Sequence, residues 1–591
     1  MSPSQRPSVS GLPAAEQSPE AQPLLSPVAA SEPASAPLEL TARALGTGLL
    51  IGGMLAVTNV YMGLKTGWWE SGSVTAAVLG FSALAAVSRR RGAPYTPLEN
   101  NVTQTAASAV GAMPAAAGLL GALPALTLLG VSVPGWGVAA WSVALGALGV
   151  LAAYLLRRRL VVQEALPFPT GIATAELIQT MHAPAGAQAR GGRGWWLAGA
   201  AGASVVVTAL RDAFKVLPGM TALPGAAGAL GWGVGWSPML LAIGMMTGLR
   251  LGLSMLAGAV LGWGVLAPWL SDVGYQGDVG MWLTWPGVGL LLGSALASLL
   301  AQARDFLGAA KDLGAVSRDE ALPRRVVALG LGACALAVGL GATLFGLSVP
   351  YMLLALVLVL PLCAVCARGA GQADVSPVSQ TGQLTQVLFG ALLPGAMGPN
   401  VAAGAVVSGA AAQTGVSMWS LKAGHLLGAT PRRQLTAQLV GVAVGSLVGV
   451  PAYLFLTKAY AVGSEALPAP YAQQFRAVAE LAVRGLDGLP PHAGLATVIA
   501  AGVGALMTLG MRGRVAAWLP LPMAMGIGFL LPAFYSVSIC LGAVAVAVAR
   551  RFRPEGTQKN VHTLGAGAIA GESITGVLIA ALIALGLMQQ G

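Results

Sequence analysis

Long apolar runs, separated by short polar connections, recur through this chain from about residue 45 to residue 587. Hydrophobic residues make up 55% of the sequence and charged residues 9%, whereas a typical soluble protein is about 25% charged. At about 20 residues per membrane-spanning helix, roughly 13 to 16 spans fit into these runs. The sequence therefore predicts an all-α polytopic membrane protein whose main surroundings are a lipid bilayer.

Basic residues outnumber acidic residues by 32 to 21 and are grouped between the apolar runs. Connections rich in Lys and Arg mark the cytoplasmic side of a membrane protein, so the surplus does not indicate a nucleic-acid partner. We expect the protein to reside in the inner (plasma) membrane. The clusters predicted to face the cytoplasm are Arg89 to Arg91, Arg157 to Arg159, Arg432 with Arg433, and Arg550 with Arg551.

The chain divides into a short tail and one large membrane domain. Residues 1–37 are rich in Pro, Ser and Ala and lack the pattern of a signal peptide, which predicts a disordered cytoplasmic tail. Residues 38–591 form the predicted membrane transporter domain. Within it, residues 304–325 mix five basic with four acidic residues and are predicted to form the main cytoplasmic loop.

Three polar segments interrupt the apolar pattern, at residues 94–105, 166–177 and 372–386. Each contains proline and lies next to an apolar run. Helices broken by Pro or Gly near polar side chains are typical of transporters that bind solute at the midplane of the membrane. The Leu-Pro-x-Pro pattern at residues 166–169 recurs at 519–522, which favours two related halves with a broken helix in corresponding positions.

These segments supply the predicted solute-binding residues, because free backbone groups and polar side chains at a helix break can hold a solute. Glu99 and Glu176 also lie near predicted helix starts, where a carboxylate can act as a simple cap. Both interpretations stay open for each of them. The predicted binding set is Glu99, Asn100, Gln104, Thr170, Thr174, Glu176, Asp374, Gln380 and Gln383.

Glu572 is the predicted proton-coupling residue. It is the only acidic residue in the last long apolar run, and Gly571 and Gly576 beside it leave room for another helix. Burial disfavours the charged form of a carboxylate, so a residue there could take up and release a proton during transport. Glu176 is the second candidate for this role.

Nothing in the sequence calls for a cofactor or a fixed metal centre. The four histidines show no ligand spacing with one another. Cys363 and Cys366 have the spacing of a redox or zinc pair, but their apolar context and the lack of a second pair favour buried structural thiols.

Several segments resemble the oligopeptide transporter family, in particular its yellow stripe-like branch. The resemblance extends from about residue 45 to residue 590, with the motifs in family order. The matching motifs are MGLKTGW at 62–68, ENxxxQT at 99–105, LPFPTGxATA at 166–175, GHLLGATPRRQ at 424–434 and IAGE at 569–572.

The resemblance implies a fold of about 16 transmembrane helices and secondary-active uptake coupled to protons. It also implies a small substrate, either a short peptide or a metal chelate built on amino acids, and it leaves a homo-oligomer open. Residues 371–377 depart from the asparagine-rich form of bacterial members. The acidic regions of the plant metal-chelate carriers are absent from this sequence, which favours peptides or peptide-like solutes as the primary prediction.

Other classes of membrane protein fit less well. A proton-pumping pyrophosphatase would need clustered aspartates to hold magnesium around phosphate, and the aspartates of this chain are scattered. An ATP-driven machine would need the phosphate-binding loop GxxxxGK[ST], which the sequence lacks. We therefore predict a transporter and not an enzyme. A channel stays open as an alternative, because sequence alone does not reveal alternating access.

Overall fold

The computed structural model describes residues 38–91, 94–183, 192–301, 324–374, 376–485, 489–511, 513 and 515–589. The predicted tail at 1–37 lies outside the described residues. So does the predicted loop at 304–325, apart from Arg324 and Arg325, which begin a helix.

Up to residue 301, the described residues form helices and one small hairpin. Three of the helices continue into a short π-helical segment, at Arg158–Gln163, Ala209–Ala213 and Val260–Leu266. The elements are α1 (Ala42–Thr66), α2 (Ser73–Arg91), α3 (Pro97–Gly111), α4 (Met113–Ala116), α5 (Ala122–Leu128), α6 (Gly135–Arg157), α7 (Pro169–His182), α8 (Gly192–Thr208), β1 (Met220–Ala222), α9 (Ala226–Ala229), β2 (Gly233–Gly235), α10 (Pro238–Thr247), α11 (Leu249–Ala259), α12 (Ala267–Asp272) and α13 (Val279–Ala301).

From residue 324 onwards, all the regular elements of the described residues are helices. Its elements are α14 (Arg324–Phe345), α15 (Val349–Ala373), α16 (Val378–Leu392), α17 (Met397–Leu427), α18 (Pro431–Ala459), α19 (Pro470–Arg484), α20 (Ala493–Gly510), α21 (Pro522–Leu530), α22 (Ala533–Phe552) and α23 (Pro554–Ala584).

Eleven helices of the described residues are long and apolar enough to cross a membrane. Two further apolar helices, Ser73–Leu84 and Pro238–Thr247, are shorter. The prediction of an all-α polytopic membrane protein is thereby confirmed. The count of about sixteen spans is not confirmed by these helices.

Helix α17 forms the centre of the described fold. It packs against α3, α6, α15 and α16, and its most apolar 18-residue window is entirely buried. Its sequence is rich in Ala, Gly and Ser, which allows neighbouring helices to approach closely. At Gly149 of α6, a Cβ atom would collide with the carbonyl of Ala410, so only glycine permits this contact.

The ends of the helices define two sides of the molecule. Arg433 at the start of α18 forms an ion pair of 2.9 Å with Glu39, next to the start of α1. At the other ends of these two helices, Lys65 and Tyr460 line one cavity. We call the side at which α1 begins the first side, and the side at which it ends the second side. The predicted cytoplasmic orientation corresponds to the first side.

The predicted breaks at 166–177 and 372–386 meet on the first side. Phe168 has a φ of 47° before α7, and Asp374 has a φ of 58° between α15 and α16. The N–H of Phe168 donates a hydrogen bond of 2.8 Å to the carbonyl of Gly371. Two segments about 200 residues apart in sequence therefore form one irregular region.

Candidate functional site

A cavity of about 560 Å³ lies on the second side, between the ends of α1 and α18 and the start of α10. This volume lies within the range of about 300–1,000 Å³ that is usual for small-molecule sites. We call it the charged cavity, because its lining includes residues of both charges. These are Lys65, Arg211, Lys215, Asp212 and Glu465.

Arg211 is the best-connected residue of the charged cavity. It follows α8 in the chain, and its side chain is only 5% exposed. Its guanidinium donates to both carboxylate oxygens of Asp212, at 2.6 and 2.7 Å, and to the carbonyl of Trp236 at 2.9 Å. Its Nη2 also donates to Oε1 of Glu572 at 3.0 Å. One cation thus holds two carboxylates in place.

Glu572 lies fully buried behind Arg211. The Ser237 hydroxyl lies 2.9 Å from both carboxylate oxygens, and the backbone N–H of Met239 donates to Oε2 at 2.9 Å. Ser237 caps α10 and Met239 lies in its first turn, so the carboxylate faces a helix N-terminus, which favours negative charge. The sequence places Glu572 on α23, while its partners come from α10 and the end of α8.

Aromatic rings complete the lining of the charged cavity. Nζ of Lys65 lies 5.0 Å from the centre of the Tyr61 ring. Tyr460 and Tyr535 also line the cavity, and Tyr535 packs beside Phe534. Ring faces attract cations, so the cavity has groups suited to a carboxylate and groups suited to an ammonium group.

A second cavity of about 600 Å³ adjoins the charged cavity. Both are lined by Met220, Ser464, Glu465 and Phe534, which therefore form the wall between them. The hairpin of β1 and β2 carries Met220. The second side thus has two neighbouring polar spaces with a thin shared wall.

Buried amide and hydroxyl groups form a second polar region between α3, α17 and α18. None of them is more than 1% exposed. We call this region the amide seam; it comprises Asn101, Gln104, Thr105, Gln413, Ser417, Ser420, Gln434 and Gln438. Unlike the charged cavity, the seam contains no ionisable residue.

The part of the seam nearer the first side is internally hydrogen-bonded. Gln104 donates to Oδ1 of Asn101 at 2.9 Å and to Thr105 at 3.1 Å. Gln434 donates to the carbonyl of Ser420 at 2.9 Å and to the Thr105 hydroxyl at 3.3 Å. The predicted binding residue Gln104 thus belongs to a network that joins three helices.

The predicted binding residue Glu99 has structural partners. Its backbone N–H and side chain form a capping box with Thr96 at the start of α3. Its carboxylate also pairs with Arg43 at 2.7 Å and accepts a hydrogen bond from Thr41 at 2.6 Å. The adjacent Asn100 accepts a long contact of 3.4 Å from Tyr95, while its Nδ2 has no partner. Glu99 therefore ties α3 to α1.

Thr170 and Asp374, both predicted binding residues, are in direct contact. The hydroxyl and the N–H of Thr170 donate to the two carboxylate oxygens of Asp374, at 2.6 and 3.1 Å. Thr174 donates to the carbonyl of Thr170 on the next turn of α7. The structure thus brings together three residues of the predicted set on the first side, away from the charged cavity.

The other predicted residues lie apart from this group. Gln380 on α16 donates to the sulfur of Met523 at 3.0 Å. Gln383, one turn later, is 1% exposed, and both polar atoms of its amide lack a partner. Glu176 is exposed on α7 and does not line the charged cavity, so the two coupling candidates, Glu176 and Glu572, occupy different places in the fold.

Sequence reasoning missed most of the charged cavity. Arg211 stands directly beside Asp212 in an otherwise apolar run, and such an adjacent pair of opposite charges is a usable signal. The Ser237-Pro238 pair is typical of a helix start and marks the element that receives Glu572. The contribution of Glu465 depends on the path of a loop, which local sequence does not reveal.

Metal-binding chemistry of the usual kind is not evident in the part of the chain that the structure describes. No group of three or more His, Cys, Asp or Glu residues there could hold a metal ion. Cys363 and Cys366 are buried and free.

Comparison with known proteins identifies the chain's relatives. The family model described as OPT oligopeptide transporter protein matches residues 39–583. The Saccharomyces cerevisiae protein YGL114W is 25% identical over 77% of this chain and 82% of its own. It is named as a candidate oligopeptide transporter.

Plant relatives cover even more of the chain. The metal-nicotianamine transporter YSL2 of Arabidopsis thaliana is 25% identical over 93% of both chains. The iron-phytosiderophore transporter yellow stripe 1 of Zea mays is 26% identical over 91% of this chain and 89% of its own. The similarity therefore extends over nearly the whole described fold.

Proposed function

This chain belongs to the oligopeptide transporter family, and from that premise we propose that it is a proton-coupled, secondary-active importer of short peptides or peptide-like solutes. The family and the similar proteins are membrane transporters, so the chain is a membrane transporter and not an enzyme. The specific solute, the coupling ion and the location in the plasma membrane are parts of the proposal.

The observation that carries the proposal is the pairing of opposite charges around one cavity. A peptide in neutral solution has an ammonium group and a carboxylate, so its site needs groups of both signs. Arg211 and Lys65 can receive the carboxylate, while Glu465 and the tyrosine rings can receive the ammonium group. A site for an uncharged or purely cationic solute would not need this arrangement.

The contacts of Glu572 suggest how a proton is coupled to the solute. In the ionised form, Glu572 accepts a hydrogen bond from Nη2 of Arg211. Protonation removes the charge that holds this contact, and the N–H that faced Glu572 can then bind the carboxylate of the solute while Arg211 keeps its hydrogen bonds to Asp212. Solute and proton would thus bind together, which is the requirement for symport. The Ser237 hydroxyl and the Met239 N–H can still hydrogen-bond the protonated side chain.

The named activities of the plant relatives favour a second candidate, a metal chelate. Their names specify nicotianamine and phytosiderophore complexes of metals. Chelates built on amino acids also combine carboxylates with amino groups, so the charged cavity suits them as well. Thr170 and Asp374 on the first side, and Gln383 farther along α16, remain proposed contacts for either solute at a later stage of transport.

Uptake into proteoliposomes tests the substrate. Radiolabelled di- to hexapeptides and iron or nickel chelates should be compared with and without a pH gradient. We expect saturable, gradient-dependent accumulation of at least one peptide class. If only chelates are taken up, the chelate candidate replaces the peptide proposal. A flux that does not depend on the pH gradient would indicate a channel.

Glu572→Gln tests the coupling step. The variant mimics the protonated side chain, so it should bind solute and exchange it across the membrane, yet lose accumulation driven by the pH gradient. The matched control is Glu555→Gln, which removes an exposed carboxylate from the first turn of the same helix and should leave accumulation intact. If Glu572→Gln concentrates solute as well as the parent does, the coupling role passes to Glu176, to be tested by Glu176→Gln.

A further inference from the structure

The part of the amide seam farther from the first side contains three buried oxygen atoms without a partner. They are Oε1 of Gln413, Oγ of Ser417 and Oε1 of Gln438. All three residues are at most 1% exposed. A buried polar atom without a hydrogen bond costs about 1–3 kcal/mol, so three in one small region indicate that something else satisfies them.

The orientation of both amides follows from their neighbours. Nε2 of Gln413 faces the carbonyl of Ala109 at 3.5 Å, and Nε2 of Gln438 faces the carbonyl of Ser417 at 3.3 Å. A carbonyl can only accept, so turning either amide around would set two acceptors against each other. The amide nitrogens must therefore point to the backbone, and both Oε1 atoms are left free.

Ser417 differs from the other hydroxyl residues of α17. Ser408 and Thr414 each donate to the carbonyl four residues earlier, at 2.8 Å, which is the usual way for a helix to satisfy a buried hydroxyl. The Ser417 hydroxyl makes no such bond. It lies one turn after Gln413, on the same face of α17, and the contact of Gln438 with the Ser417 carbonyl brings the third oxygen to this face.

We propose that Gln413, Ser417 and Gln438 bind a sodium ion, together with water. Neutral carbonyl and hydroxyl oxygens coordinate monovalent cations in membrane proteins, where they replace part of the hydration shell. A calcium site would require carboxylates, and the seam has none; the nearest acidic residue along α3, Glu99, is already paired with Arg43. A sodium ion here would join α17, which carries Gln413 and Ser417, to α18, which carries Gln438.

Ion binding should be measured on the purified full-length protein in detergent, without solute and without a gradient. Thermal unfolding in sodium chloride is compared with unfolding in choline chloride at equal ionic strength, and binding of ²²Na⁺ is measured directly. We expect sodium to raise the unfolding temperature in a saturable way and choline not to. Because neither readout involves transport, a negative result would leave the proposed function untouched.

Two variants locate the site. Ser417→Ala removes a hydroxyl that bonds to nothing in the protein, so it should fold normally and yet bind sodium about tenfold more weakly, as expected for a lost ligand worth about 1.4 kcal/mol. Gln438→Leu should bind more weakly still. The matched control, Ser408→Ala on the same helix, should keep the full sodium effect. Equal unfolding temperatures of the parent in sodium and choline, or an unchanged sodium affinity in Ser417→Ala, would overturn the proposal in favour of water alone.

Discussion

The charged cavity and the amide seam are two solutions to the same problem, which is how to keep polar groups inside a membrane protein. The cavity concentrates ionisable residues around Arg211 and has room for a solute. The seam uses only neutral amides and hydroxyls and is closed to solvent. Polar atoms inside a membrane need partners within the protein or in a water-filled space. The cavity meets this requirement, whereas the seam leaves three oxygens, on Gln413, Ser417 and Gln438, for the proposed sodium ion.

The difference between them lies in what a proton or a solute can change. In the cavity, Arg211 holds both Asp212 and Glu572 by charge, so neutralising Glu572 or adding a solute carboxylate alters the contacts of all three residues. In the seam, protonation changes nothing, because amides do not titrate near neutral pH. The cavity is therefore suited to coupling and recognition, and the seam to joining helices.

The largest effect should come from Arg211→Gln. This change leaves Glu572 fully buried without its cation, and loss of one partner from a buried ion pair costs about 3–5 kcal/mol. We expect a large drop in thermal stability, measured in detergent, and complete loss of uptake. The double variant Arg211→Gln with Glu572→Gln removes both charges and should recover most of the lost stability, although not the uptake.

The control for this prediction is Arg476→Gln. Arg476 pairs with Glu480 at 2.8 Å across one helical turn, and the two side chains are 26% and 10% exposed. Because solvent reaches this pair and weakens it, this variant should lose clearly less stability than Arg211→Gln, which strands a fully buried carboxylate. If the two arginine variants were equally stable, or if the double variant were no better than Arg211→Gln, the cavity would not be a coupled charge cluster.

A smaller effect is expected from Gln434→Leu in the amide seam. Leucine has a similar size, but the change removes donors to Thr105 and to the Ser420 carbonyl, and buried groups without partners cost about 1–3 kcal/mol. Thermal stability should fall by that order, while the KM and the pH dependence of uptake by the folded protein stay unchanged. The same substitution at the exposed Gln372 should alter neither. A changed pH profile in Gln434→Leu would show that the seam takes part in proton coupling and does not only join helices.

The membrane helices and their breaks are the features that the sequence predicts best. Membrane helices follow from composition, because a run of apolar residues has few alternatives in lipid. The apolar runs begin near residue 45, and the first of them forms α1. The breaks before Pro169 and after Ala373 were also predicted, since proline and the polar residues around it are visible locally. The sequence predicts that Thr170 and Asp374 both belong to the solute-binding residues, but it does not predict that the two side chains are in contact.

What local sequence could not supply was the choice of partners. Glu99 and Glu572 are both acidic residues in apolar surroundings. Glu99, in the first turn of α3, forms an ion pair with Arg43 of α1. Glu572 forms an ion pair with Arg211 and accepts a hydrogen bond from the start of α10. These partners lie 56 and 361 residues away in the chain. Whether a buried carboxylate caps a helix or lies behind a cavity depends on such distant contacts, and no spacing rule encodes them.

The smallest effect on stability should come from Lys65→Gln, which tests whether the cavity binds a carboxylate at its rim. Lys65 is partly exposed in the last turn of α1 and lies over the Tyr61 ring. An exposed cation–π contact contributes about 0.5–1 kcal/mol, so unfolding should shift only slightly. For a peptide solute, the lost contact with Lys65 should weaken binding by a similar free energy, about 0.5–1 kcal/mol. The apparent KM should therefore rise roughly two- to fivefold, with kcat unchanged.

The matched measurement uses a peptide whose carboxyl terminus is amidated. Its KM should not respond to the change, because it presents no carboxylate to Lys65. An equal rise in KM for both peptides would mean that Lys65 shapes the cavity and does not recognise the solute's charge.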